Sequence, residues 1–334
     1  MINIGVIGCG HWGPNHIRNF NTNKRSKVVA FAEINENNRR RIAEMYPDIE
    51  PFDDFIKMLN NDHIDAVVVA TPTANHYEIV RESLLLGKDV LCEKPLTISP
   101  DESQKLIDLA DAKNLILMVG HTFIYNNGIQ ALKKCIDNGE IGSPLYIHLR
   151  RTNLGPIRQD VNVVYDLASH DIYIANYLLN EIPCHVVATG ATYLQKGVED
   201  VAFITLRYPS GILAHIHVSW LDPKKDRHIT VIGNEKMIVW DDLSSETIRI
   251  YNKSVEIKDK NYDTFGQFQL VLKEGDIVIP KVNLLEPLVN ETNHFLDCIL
   301  SRKKPLSSGK EGLEVVKSLE EIQKSMHLNI SDMQ

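Results

Sequence analysis

The chain has 334 residues, more than one ordinary core of about 100–150 residues holds, so length alone predicts two domains and excludes a peptide hormone or a lone small module. Lys and Arg number 36 against 44 Asp and Glu, giving a net charge of −8, and 43% of residues are hydrophobic, the balance of an ordinary globular protein. Basic runs are confined to Arg39-Arg40-Arg41 and Arg302-Lys303-Lys304, and no apolar stretch approaches the roughly 20 residues that cross a bilayer, so neither nucleic acid nor membrane is an expected partner.

The first residues run straight into a strand pattern without a basic n-region, so no secretory signal is expected. Cys9, Cys92, Cys135, Cys184 and Cys298 are odd in number and lack C-x-x-C spacing. They read as reduced residues of a cytoplasmic protein, not as disulfides or a zinc site.

Up to about residue 120, apolar runs at Ile2–Ile7, Val28–Ala32, Ala66–Ala70, Val90–Cys92 and Leu115–Val119 alternate with helical stretches. The stretches are Asn15–Phe20, Asn35–Met45, Phe52–Asn60, His76–Leu86 and Pro100–Lys113, the last opened by Ser99 as its N-cap. Continuous apolar strands alternating with helices predict an α/β fold with a doubly wound parallel sheet. A helix then follows at Gly128–Asn138, a strand at Leu145–Arg151 and a helix at Asp166–Leu179. From His185 to Tyr251 the text is strand-rich, with turn signals at Tyr208-Pro209-Ser210-Gly211 and Gly233-Asn234, and reads as a run of antiparallel strands. The expected division is 1–120 for a parallel α/β domain and 121–334 for an α+β domain. Helices at Pro287–Ser301 and Lys310–Met326, within about 286–334, are expected to pack back toward the first domain.

Gly8-Cys9-Gly10-His11-Trp12-Gly13 matches G-x-G-x-x-G between a strand and a helix. Gly8 suits the tight turn, Gly10 lets backbone N–H groups approach a pyrophosphate, and Gly13 permits close helix–strand packing, with His11 and Trp12 carried in the same loop. Glu33 ends the second strand 20 residues beyond Gly13, where a carboxylate accepts both hydroxyls of an adenosine ribose and repels a 2′-phosphate. The expected cofactor is therefore NAD. Arg39, Arg40 and Arg41 read as a solvated helix face. Thr71, Pro72, Asn75 and His76 follow one strand end and Glu93 and Lys94 another, the positions where an open α/β sheet binds ligands. A lysine beside a nicotinamide is partly desolvated and close to a positive ring, both of which lower its pKa.

Glycine loop, Ala70-Thr71-Pro72-x-x-x-His76, Glu93-Lys94-Pro95 and Asp166-x-x-x-His170, in that order over nearly the whole chain, resemble the Gfo/Idh/MocA oxidoreductases. The resemblance implies a Rossmann domain followed by a domain with an open, mostly antiparallel sheet used in a homo-oligomer. It also implies Lys94 as the catalytic lysine with Asp166 and His170 as its partners. Where the family often has Gly between the Asp and the His, this chain has Asp166-Leu167-Ala168-Ser169-His170. A narrower likeness covers Gly120-His121-Thr122-Phe123-Ile124-Tyr125-Asn126, Arg151 to Arg158 and Glu286-Pro287-Leu288. It is similar to the branch that oxidises C3 of UDP-N-acetylglucosamine, or its uronic acid, ahead of a sugar aminotransferase in cell-surface polysaccharide or lipid A synthesis. By this likeness Tyr125, Arg151, Asn153, Arg158 and Asn162 join Lys94, Asp166 and His170 in holding a nucleotide sugar.

Asp166 and His170, four apart on a helix, share a face, and a carboxylate beside an imidazole orients and charges a general base. In the expected mechanism His170 takes the hydroxyl proton while Lys94 steadies the alkoxide. Arg151 and Arg158 flank a Gly-Pro loop, and guanidinium groups suit a diphosphate, with a salt bridge as the equal alternative. His215 and His217 alternate on one strand without carboxylates at ligand spacing, so no metal is assigned. Two alternatives stay open: a dehydrogenase of a free sugar or cyclitol, and a catalytically silent NAD-sensing regulator, the latter disfavoured by Lys94 and His170.

Overall fold

The apolar runs of the first 120 residues become the six strands of one parallel sheet in the computed structural model, which describes residues 1–159, 161–257 and 270–331. The strands are β1 (Ile2–Ile7), β2 (Ser26–Ala32), β3 (Glu50–Phe52), β4 (Ala66–Val69), β5 (Asp89–Glu93) and β6 (Leu117–Gly120), in the order β3-β2-β1-β4-β5-β6. Helices α1 (Gly13–Thr22), α2 (Glu36–Met45), α3 (Phe55–Leu59), α4 (His76–Leu85) and α5 (Pro100–Lys113) connect them. Every residue of β4 is buried, because helices on both faces leave no side of a central strand for polar groups. The strand order reverses between β1 and β4, which makes the crevice at their C-terminal ends the expected ligand position.

Two local expectations are corrected. The helix expected over Phe52–Asn60 is the shorter α3, and Phe52 instead ends a three-residue edge strand. Pro51 is tolerated on that edge, where its missing N–H breaks no ladder, and Asp54 opens α3 by accepting the Ile56 N–H at 2.8 Å. Ser99 occupies the cap position of α5 but makes no side-chain cap bond. Instead the Thr97 hydroxyl bonds the Ser99 carbonyl (2.6 Å) and the Ser103 hydroxyl (2.8 Å).

The chain divides into two compact units, Met1–Tyr125 with Leu285–Glu320, and Asn126–Leu284 with the residues from Glu321 onward. The second unit carries α6 (Asn127–Asp137), β7 (Pro144–Leu154), α7 (Ser169–Leu179) and the strands β8 (His185–Ala191), β9 (Val201–Arg207), β10 (Leu213–Ser219), β11 (Leu221–Gly233), β12 (Met237–Asp241) and β13 (Ile248–Tyr251). β14 (Ser254–Ile257) and β15 (Leu270–Lys273) form a separate pair, and β16 (Ile277–Val278) adds to the edge of the large sheet. That sheet runs β16-β13-β12-β11-β7-β10-β9-β8. It is mostly antiparallel, as expected, with one parallel pairing: β10 lies parallel to β7, with His215 opposite His148. The hairpin β9–β10 returns beside a strand made before α7, a pairing that no local turn signal records. The helix expected from Asp166 starts as one π-helical turn, Val164–Ala168, and becomes α-helical at Ser169.

The last helices are α8 (Pro287–Ser301) and α9 (Gly309–Ser331). Leu313 of α9 joins the core of the first unit with Val69, Cys92, Leu96 and Val119. Just before α9, the Ser307 carbonyl accepts the Val119 N–H at 2.7 Å and Ser308 bridges antiparallel to Met118, so the outer edge of β6 is paired. Cys9, Cys92 and Cys298 are buried, Cys135 is half-buried, and Cys184 is exposed. No helix of the described residues is long and apolar enough to cross a membrane.

Candidate active site

In the first unit the expected cofactor residues gather at the C-terminal ends of β1, β2, β4 and β5. Gly8 follows β1 with φ +89°, and a Cβ there would lie 2.8 Å from both the Ala70 carbonyl oxygen and Thr71 Cγ2. At Gly13 a Cβ would come within 2.1 Å of the Gly8 carbonyl oxygen, so α1 can start against the loop only with glycine. Gly10 differs: a Cβ there would meet nothing within 4 Å, and the residue is exposed. The chain's own packing does not require that glycine, whereas a pyrophosphate approaching the backbone does. His11 and Trp12 are exposed beside it, and the Thr71 hydroxyl is buried without a hydrogen-bond partner. An open cradle and an orphaned donor at one crevice fit a bound dinucleotide.

Glu33 lies at the end of β2 with only 9% exposed. Its Oε2 accepts the Cys9 N–H (2.7 Å) and its Oε1 the Asn35 N–H (2.8 Å). Each carboxylate oxygen takes two hydrogen bonds, so capacity for two ribose hydroxyls remains. The arginines after it are not all a solvated face. Arg39 donates to the Glu33 carbonyl at 2.7 Å and Arg41 reaches the Cys9 carbonyl at 3.4 Å, while Arg40 pairs with Glu36 on the surface.

His76 is buried with its two ring nitrogens 2.9 Å from the carbonyls of Pro95 and Thr71, so it ties the β4 and β5 loops together. Burial holds its pKa below the ordinary histidine value, against those carbonyls and the Glu93 charge. Pro72 and Asn75 are exposed on the same loop. Glu93 accepts from His16 Nε2 at 2.8 Å, a buried pair not read from the sequence because its members stand 77 residues apart. Lys94 follows at the end of β5, its peptide to Pro95 cis. Burial and the nearby Lys94 charge push His121 down to about 3, so its ring is neutral. Tyr125 is corrected: its hydroxyl is buried against Ser307 Oγ at 2.9 Å, inside the first unit.

In the second unit Asp166 sits within the π-helical turn, and His170 is the second residue of α7. Asp166 Oδ1 accepts from Arg158 (3.2 Å) and Oδ2 from the Trp220 indole N–H (3.1 Å). Arg158, expected either on a diphosphate or in a salt bridge, pairs with Asp166. Arg151 is corrected more firmly. It is 3% exposed and holds Asp171 through Nε (3.1 Å to Oδ2) and Nη2 (2.8 Å to Oδ1). This buried pair commits Nε and Nη2 of the guanidinium to Asp171. Asn162 caps the π turn by accepting the Tyr165 N–H and donates to Glu199 and Gln323, so its amide is committed internally. Asn153 bonds the Gly155 carbonyl.

The first unit thus carries the glycine cradle, Glu33 and Lys94, and the second carries Asp166 and His170. Residues 2–121 match a family model described as an oxidoreductase family with an NAD-binding Rossmann fold, and residues 129–239 match the GFO/IDH/MocA C-terminal domain. The myo-inositol 2-dehydrogenase of Thermotoga maritima is 25% identical over 320 residues, covering 92% of this chain and 91% of its own. The inositol 2-dehydrogenase of Burkholderia multivorans is 30% identical over 226 residues, 65% of this chain and 67% of its own. The WlbA dehydrogenase of Bordetella pertussis, crystallised with NADH and UDP-GlcNAcA, superposes with a TM-score of 0.80 over 98% of this chain and 97% of its own, at 21% identity, a likeness of fold.

Proposed function

We propose that this chain, which belongs to the Gfo/Idh/MocA oxidoreductase family and is an NAD-dependent sugar dehydrogenase, oxidises one ring hydroxyl of a cyclitol or free sugar to the ketone. Its cofactor site is the cradle of Gly8, Gly10, Gly13, Glu33 and Thr71, and NAD+ bound there supplies the two-electron acceptor. His170 takes the hydroxyl proton, Asp166 orients and stabilises the resulting imidazolium, and Lys94 donates a hydrogen bond to the oxygen as negative charge builds on it. The observation that carries the choice of substrate class is the Arg151–Asp171 pair. With Arg151 committed to Asp171, the grip expected for a diphosphate loses one of its two guanidinium groups, whereas a polyol ring needs only hydroxyl-directed donors and acceptors.

A second reading keeps the chemistry and takes the C3 hydroxyl of UDP-N-acetylglucosamine or its uronic acid, with the ketone passing to an aminotransferase. It is favoured by the 37% exposure of the Arg158 side chain, which brings a cation to the surface. Incubating the protein and NAD+ with myo-inositol, scyllo-inositol, glucose and UDP-N-acetylglucosamine, each with and without a ketone-trapping aminotransferase, separates the two. NADH formed from an inositol or glucose supports the first reading. NADH formed only from the UDP-sugar, with deuterium transferred from C3, replaces it with the second.

A further inference from the structure

We infer that Trp220 is a positioning residue for the reaction: its indole N–H and the Arg158 guanidinium hold the two oxygens of Asp166 from opposite partners and fix the carboxylate in one orientation. This inference rests on the reading of Asp166 as the partner of the base. Trp220 is the single residue between β10 and β11, and it is 1% exposed. Its N–H donates to the Asp200 carbonyl at 2.9 Å and its carbonyl accepts the Gly155 N–H at 3.0 Å. Backbone bonds to the segments before β9 and after β7 therefore set where the indole projects.

The projection meets Asp166 in the π-helical turn. Such a turn contains one residue more than an α-turn and is frequent at functional sites. On this turn two donors, one on each oxygen, set the orientation of the Asp166 carboxylate. Arg158 Nη1 reaches Oδ1 at 3.2 Å and Trp220 Nε1 reaches Oδ2 at 3.1 Å. Free rotation about the Asp166 Cβ–Cγ bond would break both contacts. A hydrogen bond to a charged group is worth enough that losing one changes an orientation-dependent rate by about tenfold.

The protein contains three tryptophans, Trp12, Trp220 and Trp240, so tryptophan-labelled protein gives three indole N–H resonances. Asp166→Asn is expected to move the resonance that Trp220→Phe removes. With NAD+ and the best substrate of the panel above, Trp220→Phe is expected to lower kcat about tenfold while the Kd for NAD+ is unchanged. The double variant Trp220→Phe/Asp166→Asn should fall no further than Asp166→Asn alone, because the indole acts only through that carboxylate. A Trp220 resonance unmoved by Asp166→Asn, or losses that multiply in the double variant, overturns the inference. If Trp220→Phe does not fold, Arg158→Gln at a part-exposed side chain puts the other arm of the clamp through the same cycle. If no substrate turns over, or Asp166→Asn is as active as wild type, the functional reading falls, and the indole resonance, which needs no substrate, still decides whether the clamp exists.

Discussion

The Glu33 carboxylate accepts the Cys9 backbone N–H at 2.7 Å, which ties the end of the second strand to the middle of the glycine loop. One side chain thereby bonds the glycine loop through Oε2 and the Asn35 N–H through Oε1. Glu33→Ser is expected to weaken NAD+ binding about tenfold and to narrow the preference over NADP+, because it removes both the loop bond and the charge that repels a 2′-phosphate. Calorimetry of both cofactors on wild type and variant checks this. Equal affinities of the wild type for the two cofactors would contradict the role of Glu33.

Lys94→Ala and His170→Ala are each expected to lower kcat by about 10²–10⁴, the usual worth of positioned proton transfer. Neither residue belongs to the pyrophosphate cradle, so NAD+ should still bind, as a thermal shift would report. Asp166→Asn should cost less than loss of His170, since it removes orientation and charge and leaves the base. Near-normal turnover in the Lys94 or His170 variant would remove that residue from the mechanism.

Arg151 and Asp171 form a buried ion pair, and removing one partner leaves the other's charge uncompensated. Arg151→Met is therefore expected to destabilise the protein by about 3–5 kcal/mol, and pairing it with Asp171→Leu should recover much of the loss. Urea unfolding of the wild type and the two variants measures it. A stable Arg151→Met with a raised KM for a UDP-sugar would return Arg151 to the substrate.

Glu291 on α8 is fully buried, with Oε2 accepting from the Thr122 hydroxyl at 3.1 Å and Oε1 unpartnered. Burial and the neighbouring Glu93 charge push its carboxyl well above 4.5. A group raised in the folded state gives stability that is present below its unfolded value and lost as pH rises toward the folded one. Stability should thus decline from about pH 4.5 upward through this group, and Glu291→Gln should flatten the decline and match or exceed wild type at pH 8. His121 works in the opposite sense. Its pKa of about 3 against an ordinary 6.5 gives stability above pH 6.5 that is lost on acidification, a loss that His121→Gln should remove. Urea midpoints measured across this pH range test both slopes.

The residues legible in the sequence are those whose chemistry is local. Gly8, Gly10 and Gly13 belong to one turn, and Glu33 lies at the end of the next strand, so spacing alone identifies them. The partners of those residues lie far along the chain. His16 meets Glu93 across 77 residues and Trp220 meets Asp166 across 54, and no periodicity encodes such distances. Arg151 shows why a residue type misleads: a guanidinium suits a diphosphate and a buried aspartate equally, and only the position of Asp171 on α7 decides between them. Ser99 holds the cap position its sequence signal marks, and what no signal records is that the Thr97 hydroxyl, two residues earlier, bonds the Ser99 carbonyl and the Ser103 hydroxyl.

The pairing of Val119 with Ser307 and the seat of Leu313 among the strands of the first unit bear on how the protein is born. A ribosome completes the glycine loop and all six parallel strands early, yet residues 126–284 must emerge before Leu285 and its successors can close the edge of β6. At ordinary elongation rates that interval lasts roughly 10–30 s. Throughout it the nascent sheet presents an unpaired strand edge and an unfilled apolar seat, so this is the period in which a chaperone holding nascent chains has most to protect.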